Sequence, residues 1–92
     1  MSVAAKVVTV WTKPICGPCT AVKAALTTAK VPFVERDLTA PDAADDLKYF
    51  RSIGLASAPI TEYGDKAVPG FLPTEIREVI DLWRSDHPVE QT

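Results

Sequence analysis

The sequence predicts a small α/β domain, a four-stranded mixed sheet with three helices packed on it, in the order β-α-β-α-β-β-α. Three observations carry that prediction. The β-branched run Lys6-Val7-Val8-Thr9-Val10-Trp11 is followed by an apolar stripe of helical spacing, then by a second strand-like run. A strand-helix-strand opening this short needs a parallel pair joined by a right-handed crossover. Further on, two strand-like runs separated by Gly64-Asp65 predict a hairpin, which adds antiparallel strands.

The first strand spans residues 6–11, and Lys13-Pro14 opens a loop after it. From about Gly17 to Lys30 the pattern is helical: Cys19, Val22, Leu26 and Ala29 recur at spacings of three and four, on one face. Pro18 suits the first turn, where an N–H is not needed, and Lys30 places a cation near the helix C-terminus. Pro32 ends this helix, and residues 33–38 form the second strand. Thr39-Ala40-Pro41-Asp42 reads as a helix start with a side-chain cap and acids in the first turn; Ala43, Leu47 and Phe50 then face inward as far as Gly54. Residues 58–63 and 66–68 are the hairpin strands. A last helix opens at Pro73-Thr74-Glu75 and buries Ile76, Val79, Ile80 and Trp83. The domain is expected over residues 1–84, with residues 85–92 a polar tail.

Composition narrows the function. A chain of 92 residues is one domain that buries roughly 60–70% of its unfolded surface. The net charge of −2 argues against a nucleic-acid partner and an anionic membrane surface. No apolar run approaches the roughly 20 residues of a membrane span, and the N-terminus shows no basic and apolar signal pattern. The expectation is a cytoplasmic protein and a monomer. Stable structural disulfides are rare in that compartment. Two cysteines three residues apart, Cys16 and Cys19, then point to catalysis or metal binding.

The pair stands where a loop becomes a helix. Unpaired N–H groups and the positive end of the helix stabilise an anion there, so the Cys16 thiol is expected to ionise below the usual thiol range. Cys19 lies one turn inside on the apolar stripe and is expected to be the more buried of the two. One turn also brings the two Cα atoms within disulfide range. Cys16 is therefore expected to attack a substrate disulfide and Cys19 to resolve the mixed disulfide. Two other readings stand beside this one. A zinc or iron–sulfur site would need further ligands, of which only His87 is soft; a non-enzymatic module would use its cysteines to hold a metal or its surface to hold a partner.

Residues 10–19, Val-Trp-Thr-Lys-Pro-Ile-Cys-Gly-Pro-Cys, resemble the active-site strand and turn of the glutaredoxin and NrdH-redoxin group. The resemblance continues through Val31-Pro32-Phe33, Asp37-Leu38, Ala58-Pro59-Ile60 and Pro69-Gly70-Phe71-Leu72-Pro73-Thr74, covering about residues 6–84. It implies a thioredoxin-like, glutaredoxin-type fold and a dithiol–disulfide oxidoreductase with no bound cofactor other than the Cys16–Cys19 disulfide. It also implies a cis Ala58-Pro59 bond beside the cysteines and a substrate ledge there. Lys13, Gly17, Pro18, Ala58, Pro59, Gly70 and Phe71 are the implied substrate-contacting set. Glutaredoxins hold glutathione with a basic residue and a Gly-Gly-x-Asp-like segment at a helix start, which this chain lacks. Gly70-Phe71-Leu72-Pro73 instead matches the NrdH-redoxin pattern, implying thioredoxin reductase as electron source and ribonucleotide reductase as a recipient, with glutathione the alternative. Val68-Pro69 replaces the usual Trp-Ser, and Gly17-Pro18 is the thioredoxin pair, which implies a couple near the thioredoxin value of about −270 mV.

Gly17 is expected to relieve the tight loop before the helix and Pro18 to stiffen its first turn. Lys13 either supports the Cys16 thiolate or an acidic partner, or is a solvated loop lysine. Phe71 is either an exposed partner contact or core. Trp83 is expected in the core, Trp11 on a face the pattern leaves open, and His87 in the tail without a role. Asp42, Asp45 and Asp46 read as a solvated helix face.

Overall fold

The computed structural model describes residues 7–87. Strand β1 (Val8–Thr12) is followed by α1 (Gly17–Thr28), β2 (Phe33–Asp37), a 3-10 turn (Pro41–Ala43) running into α2 (Ala44–Ser52), the hairpin β3 (Ile60–Tyr63) and β4 (Lys66–Pro69), and α3 (Pro73–Asp86). The sheet order is β2-β1-β3-β4. β1 pairs in parallel with β2 and antiparallel with β3, and β3 pairs antiparallel with β4. This is the four-stranded mixed sheet with three helices that the sequence predicts.

Alternation along β1 sorts the core into two layers. Val8 and Val10 join Val22 and Leu26 of α1 and Ile76, Val79, Ile80 and Trp83 of α3 on one face. Trp11 turns to the other face with Leu38, Ala43, Phe50 and Ile60, under α2. That settles the side left open for Trp11. Its ring meets Phe50 edge-on at 5.5 Å, and its Nε1–H donates to Glu62 Oε1 at 2.9 Å. The hairpin turns on Gly64, whose φ of +62° is the left-handed value a two-residue turn needs at its first central position.

Several boundaries differ from the sequence reading, each for a local reason. β1 starts at Val8, and Lys6 lies outside the described residues. Lys30, not Pro32, ends α1: it takes φ +61°, its N–H reaches Thr27 O at 3.0 Å, and Val31 N–H reaches Leu26 O at 2.9 Å. These two hydrogen bonds satisfy the last carbonyls in the usual left-handed helix stop, with lysine in the position glycine generally takes. Lys30 therefore lies past the last turn. The expected side-chain cap of α2 is absent; the residues before its two segments are Ala40 and Ala43. Thr39 is engaged elsewhere, donating from N–H and Oγ1 to Asp37 Oδ1 at 2.8 and 2.6 Å. Those bonds hold the Asp37 carboxyl below its ordinary range. β3 begins at Ile60, after Ala58-Pro59.

At the C-terminal end the helix takes in Ser85 and Asp86, which were expected in the tail. Asp86 Oδ2 accepts the Tyr63 hydroxyl at 2.5 Å, and His87 stacks on Trp83 with ring centroids 4.5 Å apart. His87 thus closes the core edge rather than trailing free. Residues 88–92 lie outside the described part. Among the described residues no helix is long and apolar enough to cross a membrane.

Candidate active site

Register puts three chain segments at one end of the sheet. Trp11 pairs with Ile60, and Ile60 with Pro69, so the chain leaving β1, the chain entering β3 and the chain leaving β4 emerge together. They carry, in turn, Lys13 to Cys19, Ala58-Pro59, and Gly70-Phe71-Leu72. The Ala58-Pro59 bond is cis, as the resemblance implies, and Pro59 is buried. Pro59 O accepts the Gly70 N–H at 2.8 Å. Gly70 takes φ +62°, and a Cβ there would meet nothing within 4 Å, so conformation rather than space explains the glycine.

Cys16 is the N-cap residue of α1, with φ −138° and ψ 102°. Its Sγ accepts the Cys19 N–H at 3.2 Å, filling the position a serine or aspartate oxygen commonly fills. The first turn of α1 contains no acidic residue, so no carboxylate competes for the positive end of the helix. The two cysteines form a disulfide with Cα atoms 5.3 Å apart. Cys16 is half-buried and Cys19 is 2% exposed, the asymmetry expected from the apolar stripe. Pro18 lies in the first turn, where its ring displaces no helical bond.

The glycine of the motif does not do what was expected of it. Gly17 has no left-handed backbone, and a Cβ there would meet nothing within 4 Å. The left-handed residue of the loop is Ile15, at φ 53°, with its side chain fully exposed. Sequence gave no hint of this, because a β-branched residue is among the least suited to that conformation.

Between the loop after β1, α2 and the chain entering β3 lies a cavity of about 190 Å³. Leu38, Leu47 and Ala58 form its apolar lining, with Lys13 and Arg51 as its cations. Lys13 is exposed. Arg51 went unnoticed in the sequence, though its position four residues after Leu47 on α2 places it on the same side. Phe71 is 38% exposed and Leu72 47%, which settles Phe71 as surface rather than core. Among the described residues no three His, Cys, Asp or Glu side chains converge as a metal cluster would need.

The glutaredoxin family pattern matches residues 8–68, from the first residue of β1 into β4. The chain belongs to the glutaredoxin family. It is 35% identical over 77 residues to the Gene 56 protein of Mycobacterium phage L5, covering 83% of this chain and 74% of that one. Among solved structures, its fold is similar to that of the NrdH-redoxin of Escherichia coli, a glutaredoxin-like protein described by its thioredoxin-like activity profile. That pair superposes with TM-score 0.68 at 24% identity, over 78% of this chain and 92% of the other. The glutaredoxin of Archaeoglobus fulgidus superposes with TM-score 0.70 at 22% identity, over 83% and 87%. This glutaredoxin-family protein is a thiol–disulfide oxidoreductase with a redox-active Cys16–Cys19 pair. Its chemistry exchanges two electrons and two protons between that pair and another disulfide.

Proposed function

We propose that Cys16 is the attacking thiol and Cys19 the resolving one, in a redoxin that reduces protein disulfides. The Cys16 thiolate displaces one sulfur of the substrate disulfide, which leaves as a thiolate and takes a proton. Cys19 then attacks Cys16 Sγ, the second substrate thiol leaves, and the Cys16–Cys19 disulfide remains. The observation that carries the assignment is the Cys19 N–H bond to Cys16 Sγ at the uncompensated positive end of α1, with Cys19 itself buried. A donor at that place favours the thiolate form of Cys16 once the disulfide is reduced. Cys19→Ser is expected to accumulate a mixed disulfide with substrate, and Cys16→Ser to abolish reaction, both read by mass spectrometry. Equal loss without an adduct contradicts the division of roles.

The electrons come, in this reading, from thioredoxin reductase in the cytosol, with ribonucleotide reductase among the recipients. Gly70-Phe71-Leu72-Pro73 supports it: the residue capping α3 is Leu72, with no side-chain cap, so the Asp that glutaredoxins place at this helix start for glutathione is absent. The glutathione reading has one observation in its favour, the pairing of Lys13 and Arg51 around an apolar cavity next to Ala58, which suits a carboxylate. NADPH consumption with a disulfide substrate separates the two. Turnover with thioredoxin reductase alone upholds the first; turnover only with glutathione and glutathione reductase upholds the second.

A further inference from the structure

Ile15 combines three properties that work against one another in a free protein. It is a large apolar side chain, its relative exposure is 101%, and its backbone is left-handed at φ 53°. Hydration of the side chain and strain of the backbone both disfavour this placement. Neither is needed to cap α1, since the cap is Cys16 itself. The side chain stands next to Cys16, at the end of the sheet where Phe71 and Leu72 also lie exposed.

We infer that Ile15 is a specificity-determining residue, the apolar contact for the polypeptide flanking the cystine of a protein substrate. Burial of Ile15 against that polypeptide lowers the barrier to attack by Cys16 for protein disulfides. A small disulfide, lacking flanking chain, gains nothing from it. The left-handed backbone has a role in this scheme: it turns the side chain outward beside the reactive sulfur instead of into the loop. The inference rests on the assignment of Cys16 as the attacking thiol.

The test follows adduct formation in the Cys19→Ser background, which needs no recycling reductase and so is independent of where electrons come from. Rates are measured with insulin as the protein disulfide and hydroxyethyl disulfide as the small one, with Ile15 present or replaced. Ile15→Gly and Ile15→Asn are expected to lower the insulin-to-small-disulfide rate ratio about tenfold, the loss of one well-buried aliphatic contact. Ile15→Leu, which keeps the apolar bulk, is expected to retain the ratio. An unchanged ratio in the Gly and Asn variants, or a ratio lost equally in the Leu variant, overturns the inference while leaving Cys16 as nucleophile. Absence of any adduct in the Cys19→Ser protein with its Ile15 intact overturns the Cys16 assignment and this inference together.

Discussion

Ile15 and Lys30 share a left-handed backbone but get different returns from it. Lys30 gains the two hydrogen bonds that finish α1, while Ile15 places an apolar side chain in water beside Cys16. A non-glycine residue in this region costs roughly 1–2 kcal/mol, so relief of either should register in stability. Ile15→Gly is expected to raise Tm by about 4 °C, the shift that about 1 kcal/mol produces in a domain of this size. Lys30→Gly should raise it comparably. Scanning calorimetry on the oxidised protein checks both, and a fall in Tm for Ile15→Gly would show that the loop geometry depends on the side chain. At both positions the left-handed turn has no local signal in the sequence. The pattern pointed to Gly17 and Pro32 because glycine and proline carry conformational signals that isoleucine and lysine do not. The cysteines were legible for the opposite reason: their spacing, the apolar stripe through Cys19 and the helix start are all local.

Among the elements, α3 and the hairpin share the core and are also joined by polar contacts. Lys66 of β4 lies 3.1 Å from Glu78 and 3.9 Å from Glu75, and the Tyr63 hydroxyl donates to Asp86. Burial and the Asp86 carboxylate push the Tyr63 phenol up to about 12. A raised phenol value means that the fold favours the neutral form. Its contribution to stability is complete below about pH 10 and is lost as pH rises toward about 12. Urea midpoints measured from pH 9 upward should fall over that window. In Tyr63→Phe the fall should shrink, and stability at neutral pH should drop by about 1 kcal/mol for the missing hydrogen bond. The periodicity that identified α3 ended at Trp83, because Ser85, Asp86 and His87 are polar. What extends the helix is tertiary: Asp86 reaches Tyr63, a residue 23 positions away, and no local pattern records that.

Across the whole molecule, the sheet separates an α1/α3 layer from a thinner layer under α2, yet β1 belongs to both through Val10 and Trp11. Phe50 is 1% exposed in the thinner layer, where its ring packs against Trp11. Phe50→Ala is expected to cost about 3–5 kcal/mol by opening a cavity against Trp11. Because the strands are shared, loss should appear as one cooperative transition by Trp fluorescence and circular dichroism alike. Two separate transitions would mean that the layers unfold independently. The fold was legible at this scale because the order of elements leaves few ways to close a small mixed sheet. The cavity between Lys13 and Arg51 was not, since it joins residues that are 38 positions apart in the chain.

Both edges of the sheet are unwelcoming to a further strand. β2 presents Glu35, Arg36 and Asp37, all exposed, and β4 is four residues long and closes on Pro69, which has no N–H to offer. Under the proposed function, a protein that meets other polypeptides at the half-buried Cys16 risks zipping onto them, or onto itself, along an open strand. Here the ladder ends in charge on one side and in proline on the other. Encounters are thereby confined to the rim where the three loops emerge, and each partner can depart once its thiols are free.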